Sequence, residues 1–233
     1  MDDLTQTYWI ENIIETIEGE GMMTGHPVTI VRFVYPPFWE KTLKFKSVQV
    51  NKKRHQITIR DLILLLNNSP NKYIHYMGEE CCLQEVEPLF QAMHNCALQK
   101  FQILDTNGMV EVGGPDWISL GPKPYQHVDA TMMAHASEYR LYWSREDTTL
   151  WMANIFRIWN NPYRRTEVPF TIYPKTPDDI QGTFDFVKVH SQMRVHVPLY
   201  MIYPEIDQNA KYLFGGKNEA LEGKERLSVL QPG

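Results

Sequence analysis

The chain has 233 residues, 43% of them hydrophobic and 22% charged, with a formal net charge of −5. That length accommodates one α/β domain with a sizeable core, and an acidic balance without a long basic run carries no nucleic-acid signal. No apolar stretch reaches the roughly 18 residues of a membrane-spanning helix, so no membrane partner is expected.

Met1-Asp2-Asp3 lacks the basic-then-apolar pattern of a signal peptide. The three cysteines, Cys81, Cys82 and Cys96, have no disulfide-framework or metal-ligand spacing. An odd, unframed count fits a reducing interior, so a cytoplasmic location is expected and the thiols read as apolar packing groups.

Trp9 to Thr16 reads as an extended lead-in or short strand, and Gly19, Gly21 and Gly25 mark a loop. Val28 to Val34 is β-branched and apolar, as a central strand requires, and Pro36-Pro37 must end it because proline cannot donate to a ladder. An irregular hairpin is predicted over Phe45 to Ile57, with Lys52-Lys53-Arg54 as a solvated loop. Thr58 reads as a helix N-cap before the apolar run Leu62 to Leu66. Lys72 to Met77 is predicted as a strand. Gln84 to Asn95 has helical spacing at Val86, Leu89, Phe90 and Met93. Strands follow at Phe101 to Leu104, Trp117 to Leu120 and Glu138 to Trp143. A helix is predicted over Thr148 to Trp159, a strand over Phe170 to Tyr173, a helix over Asp178 to Ser191 and a last strand over Arg194 to Ile202. The alternation predicts an α/β fold with a mostly parallel sheet and crossover helices. Residues 1–203 form the domain, and 204–233 read as a loosely packed C-terminal extension.

Few motifs carry chemistry by themselves. The pairs His127 and His135, and His190 and His196, lack a zinc-site context, and no nucleophile elbow or phosphate-binding loop is present. Glu20 sits between two glycines, which let a backbone approach a ligand closely while the carboxylate accepts from ring N–H groups; a solvated turn is the alternative. Arg32 lies in an apolar strand and needs a partner, for which Glu20 and Glu79 are candidates. Asp105, Asn107 and Lys123 sit at strand ends, where parallel α/β folds place ligands, although turn capping explains Asp105 and Asn107 as well. The aromatic-rich second half reads mainly as core and partly as a surface for a protein partner.

Four segments in order resemble 7-carboxy-7-deazaguanine synthase, the radical S-adenosylmethionine (SAM) enzyme of the queuosine and 7-deazapurine pathway. Glu18-Gly19-Glu20-Gly21 with Thr24-Gly25-His26-Pro27 and Arg32 is similar to that family's Gln-Gly-Glu-Gly loop and following strand. Met77-Gly78-Glu79-Glu80 resembles its Gly-Gly-Glu-Pro, and Asp105-Thr106-Asn107-Gly108 its Glu-Thr-Asn-Gly. Asp116-Trp117-Ile118 with Pro122-Lys123-Pro124 resembles its Asp-Trp-Ile and Ser-Pro-Lys, and Glu138-Tyr139-Arg140 its Glu-Leu-Lys.

The resemblance implies an incomplete (β/α) barrel of the radical SAM type, and a purine-like or pterin-like molecule near Gly19, Glu20 and Gly21. It also implies that Gly78 and Glu79 face the SAM amino group. The family's three cluster cysteines, however, fall on Pro36, Glu40 and Leu43, and its magnesium-side Asp-Thr on Lys44-Phe45. Its C-terminal Gln-x-His-Lys falls near Pro198, Tyr200 and Met201. Three thiolates hold the cluster and a hard cation needs oxygen ligands. The resemblance therefore implies no iron–sulfur cluster, no magnesium and no iron-anchored SAM here. The expectation is a non-catalytic pseudoenzyme acting as a structural or regulatory subunit through a protein partner, with retained small-molecule binding or non-standard chemistry as alternatives.

Overall fold

The computed structural model describes residues 4–35, 54–78, 81–96, 99–202 and 211–214. Ten strands form one sheet: β1 (Thr7–Ile17), β2 (Pro27–Phe33), β3 (His55–Thr58), β4 (Tyr73–Gly78), β5 (Phe101–Thr106), β6 (Trp117–Leu120), β7 (Glu138–Trp143), β8 (Phe170–Pro174), β9 (Arg194–Val195) and β10 (Lys211–Phe214). The helices are α1 (Ile59–Asn68), α2 (Glu87–His94), α3 (Ala130–His135), α4 (Thr148–Trp159), α5 (Ile180–Val189) and α6 (Leu199–Ile202).

The strand order is β10-β1-β2-β4-β5-β6-β7-β8-β9, with β3 also on β1. From β2 to β9 every neighbouring pair is parallel. Strands that follow one another in order, joined by right-handed crossovers, place their helices on one face and curl the sheet around the other. Because β2 and β9 do not pair, the result is an open, incomplete barrel of α/β class, as the sequence predicts.

Two faces follow from the period of two along each strand. Val31, Phe33, Ile74, Tyr76, Leu104, Leu120, Tyr139, Leu141 and Ile172 point to the helix side and join Leu62, Leu66, Phe90, Met132, Met133, Ile155, Ile158 and Phe186 in one apolar core. The alternate residues form the concave face. There, register rows run Ile30–His75–Ile103–Trp117, then Asp105–Ser119–Glu138, then Arg140–Thr171–Arg194, then Tyr142–Tyr173. Beside β1, a small apolar group of Ile14, Val28 and Ile30 packs with Tyr73 and Met77.

Local signals explain the helix starts. Thr58 Oγ1 accepts from Asp61 N at 3.1 Å, Asp147 Oδ1 accepts from Leu150 N at 3.2 Å, and Asp129 Oδ1 accepts from Thr131 N at 2.7 Å. The structure departs from the predicted elements in four places. The Gln84 to Asn95 helix begins only at Glu87, because Glu85 takes a positive φ of 54°. Helix α3 falls between the predicted strands Trp117 to Leu120 and Glu138 to Trp143, where the sequence predicts no element. The last strand stops at Val195, and after Pro198, which has no N–H for a ladder, the chain turns into α6. Within 204–233, read as a loose extension, Lys211–Phe214 pairs antiparallel with β1. The predicted hairpin from Phe45 lies mostly outside the described residues; its end, His55–Thr58, is β3. Among the described residues, no helix is long and apolar enough to cross a membrane.

Candidate functional site

The β1–β2 turn folds over the concave face and carries two carboxylates into it. Glu18, at the end of β1, is buried and its Oε2 lies 2.5 Å from His75 Nδ1 on β4. Its Oε1 accepts from Glu20 N at 3.1 Å, which turns the next carboxylate toward β7. There Glu20 Oε2 stands 3.4 Å from Arg140 Nη1, while Arg140 Nη2 pairs with Asp105 of β5. Glu138 lies 3.9 Å from Arg140 Nε. Its Oε1 accepts from the Ser119 hydroxyl and its Oε2 accepts from Met22 N at 3.1 Å.

The turn is tied down by its backbone too. Gly21 N donates to Tyr173 Oη at 3.0 Å, and Gly19 O accepts from Leu199 N at 3.1 Å. His196 Nε2 lies 3.3 Å from Gly19 O. Gly21 has φ +70°, and a Cβ there would stand 2.6 Å from Glu138 Oε1, so both conformation and space call for glycine.

Four carboxylates thus meet the buried Arg140 guanidinium and the buried His75 ring. Burial works against the charge on His75, but the Glu18 carboxylate outweighs it, with Asp105 adding, and lifts the imidazole above its ordinary value. Burial likewise opposes the charge on Glu18, and His75 outweighs it, holding that carboxyl below the usual range. For Arg140, burial is overcome by Asp105 and Glu20, which hold the guanidinium firmly charged. Burial, reinforced by the Glu20 charge, pushes the Tyr142 phenol up. A His75 ring held at Nδ1 by Glu18, a locked guanidinium and carboxylates with spare lone pairs can orient a small polar molecule by hydrogen bonds.

The residues singled out from sequence separate into two groups. Glu20 and Asp105 pair with Arg140, Gly21 lies against Glu138 and Arg140, and Gly19 belongs to the same turn through Leu199 N and His196. The others do not join that contact set. Arg32 lies on the concave face with its Nε buried and without a hydrogen-bond partner among the described residues. Gly78, at φ +118°, packs so closely on the Phe33 backbone that a Cβ would overlap Phe33 O, which gives it a structural reason to be glycine. Glu79 lies outside the described residues. Asn107 Oδ1 accepts from Met109 N at 3.0 Å, an Asx turn. Lys123 is exposed, and its backbone N donates to Gln126 Oε1 at 3.2 Å.

Sequence reasoning missed His75, Ser119, Arg140 and Tyr173 as site members. The usable signal was parity: charged or polar residues at alternate positions of otherwise apolar strands, as in Tyr-Ile-His-Tyr-Met and Glu-Tyr-Arg-Leu-Tyr.

None of the three thiols stands on the concave face. Cys81 and Cys82 belong to the helix-side core, with Cys82 Sγ 3.4 Å from Thr106 Oγ1. Cys96 follows α2, with Sγ 3.2 Å from Ala92 O. The segment that carries Pro36, Glu40, Leu43, Lys44 and Phe45 lies outside the described residues.

Comparison with known proteins gives two findings. The chain is 24% identical over 153 residues, 64% of its length and 71% of the relative's, to the 7-carboxy-7-deazaguanine synthase of Synechocystis sp.. Its fold matches the crystal structure of QueE from Escherichia coli with a TM-score of 0.62 at 17% identity, covering 83% of this chain and 96% of that one. No family model matches the chain. The chain is a distant, 7-carboxy-7-deazaguanine synthase-like relative with an open α/β barrel.

Proposed function

We propose that this chain is a non-catalytic relative of 7-carboxy-7-deazaguanine synthase that works by binding and not by radical chemistry. The placement of its thiols carries the reading. A four-iron cluster needs three thiolates around one open iron. The three cysteines of this chain are Cys81 and Cys82 in the helix-side core and Cys96 behind α2, and Pro36, Glu40 and Leu43 stand at the matching loop positions. The residues present do not fit the cluster, so neither an iron-anchored SAM nor a magnesium partner is assigned. Anaerobic reconstitution of the full chain with iron and sulfide is expected to leave no stoichiometric cluster after desalting. A four-iron absorption and electron paramagnetic signal at one cluster per chain would overturn the reading.

A second reading, in which the chain serves as a subunit through a protein contact, draws on one observation. Tyr125 is 90% exposed at φ 64°, on a loop fixed by Arg157 Nη1 to Gln126 O at 2.9 Å and Asn154 Nδ2 to Pro122 O at 2.9 Å. A rigidly presented tyrosine is a common interface anchor. Crosslinking and affinity purification from the native source test it: a stoichiometric partner lost in Tyr125→Ala supports this reading, and an unchanged monomer rejects it.

A further inference from the structure

The β1–β2 turn closes on itself at a neck, where Glu18 N donates to His26 O and Gly25 N to Glu18 O, each at 2.8 Å. The Glu18 carboxylate, held by His75, fixes that neck to β4. Beyond it, residues 19–24 lie against the concave face. None of them is buried, and none joins either apolar cluster. Polar contacts hold them in place: Glu20 to Arg140, Gly21 N to Tyr173 Oη, Met22 N to Glu138 Oε2, and Gly19 O to Leu199 N and His196. The groups beneath are deeply covered, with Ser119 and Tyr173 each 1% exposed, Glu138 2% and Arg140 5%. A segment that buries no apolar side chain, over a floor that is fully buried, belongs to the low-stability end of a fold and opens without the rest.

We propose that residues 19–24 form a lid, closed in this structure, that swings as one unit on the Glu18–His75 anchor and controls access to Ser119, Glu138 and Arg140. Three successive amides, those of Glu20, Gly21 and Met22, donate to side-chain acceptors on Glu18, Tyr173 and Glu138. Two of these acceptors belong to β7 and β8, so lifting the tip frees both contacts together with the Glu20 carboxylate. Arg140 keeps Asp105 when Glu20 leaves, and Glu138 keeps the Ser119 hydroxyl. The floor therefore retains partners for its charges while the lid is open, which keeps opening from becoming unfolding. The assignment is independent of the iron question, because no contact of the lid involves a cysteine or the 36–45 segment.

The test is amide hydrogen exchange of the ¹⁵N-labelled full chain, with Tyr139, whose N–H donates to Pro169 O at 2.9 Å, as the reference for global opening. Gly21 and Met22 are expected to share one protection factor, well below that of Tyr139 and nearly independent of low urea, because local opening exposes little surface. Tyr173→Phe removes the acceptor of Gly21 N and keeps the ring. It should speed exchange at both amides together, about tenfold for one lost hydrogen bond. Acceleration at Gly21 alone overturns the single unit. Protection equal to that of Tyr139, or none at all, overturns the lid. Access to the floor is read separately by placing a thiol beneath the lid in Ser119→Cys and mapping its alkylation by mass spectrometry. Labelling at the lid's opening frequency, faster in the added Tyr173→Phe background, supports the proposal, and labelling only on global unfolding overturns it. If Ser119→Cys disturbs the fold, the exchange of Gly21 and Met22 in the native chain and in Tyr173→Phe decides.

Discussion

The two faces of one sheet solve the burial problem in opposite ways. On β7, Tyr139 and Leu141 point into the helix-side core, whereas Glu138 and Arg140 point onto the concave face, and all four are buried. The helix side gains from apolar area removed from water, about 25 cal/mol per Å², and tolerates any partner of suitable volume. The concave side must desolvate charges, so it is stable only while every partner stays in place. A face built this way is poorly suited to be mere packing and well suited to hold a polar molecule.

Arg140→Met tests the difference most severely. It leaves Glu20, Asp105 and Glu138 without the cation they share, and a loss of about 3–5 kcal/mol is expected by urea unfolding at neutral pH. Part of the loss should return when Glu20→Gln and Glu138→Gln are added, because fewer unpaired charges then stay buried. Leu141→Ala, across the strand, should cost about 2–5 kcal/mol and regain nothing from those two replacements. Equal responses of the two variants would erase the distinction between the faces.

The helix side was largely legible in the sequence, because apolar periodicity and caps act locally. Thr58, the run Leu62 to Leu66 and the spacing within Thr148 to Trp159 each mark their element. The concave face was legible only in part. Glu20 and Asp105 stand in recognisable short motifs, but their common partner Arg140 comes from a strand 120 residues beyond Glu20, and only strand register brings the three together. The same holds for Glu18 and His75, 57 residues apart. Helix α3 was missed because six residues give too little periodicity, although Asp129 was a usable cap signal.

Gly21→Ala should rank next, at about 2 kcal/mol, combining left-handed backbone strain with crowding against Glu138 Oε1 at 2.6 Å. It strikes only the concave side. Near-ultraviolet circular dichroism should therefore keep the helix-side tryptophan and tyrosine signals while thermal unfolding shifts down. Full stability in this variant would mean that the turn is not held against β7.

The pair between the turn and β4 gives a pH signature that the helix side lacks. His75 is raised above 6.5 in the folded state, so its contribution is fully present below 6.5 and is lost as pH rises through the higher folded value. Glu18 is lowered below 4.5, so its contribution is present above 4.5 and disappears as pH falls through the lower folded value. Between these limits the pair, backed by Asp105 and Arg140, contributes a plateau. Above it, one proton gives a decline of at most about 1.4 kcal/mol per pH unit. Unfolding free energies measured from pH 6 to 9 should show this decline in the native chain, and His75→Gln should flatten it.

The smallest effect belongs to Thr58→Ala, on the helix side. The threonine hydroxyl satisfies one orphan N–H at the start of α1 and also donates to Asp61 Oδ2 at 2.8 Å. Its loss should cost about 1 kcal/mol. Among the described residues no hydrogen bond joins the cap to Glu18 or His75, so the variant's stability curve should run parallel to the native one over pH 6 to 9, displaced by a constant amount. A curve that converged on the native one at high pH would mean that helix α1 and the Glu18–His75 pair share one cooperative network, and the separation of the two faces would then fail at its weakest point.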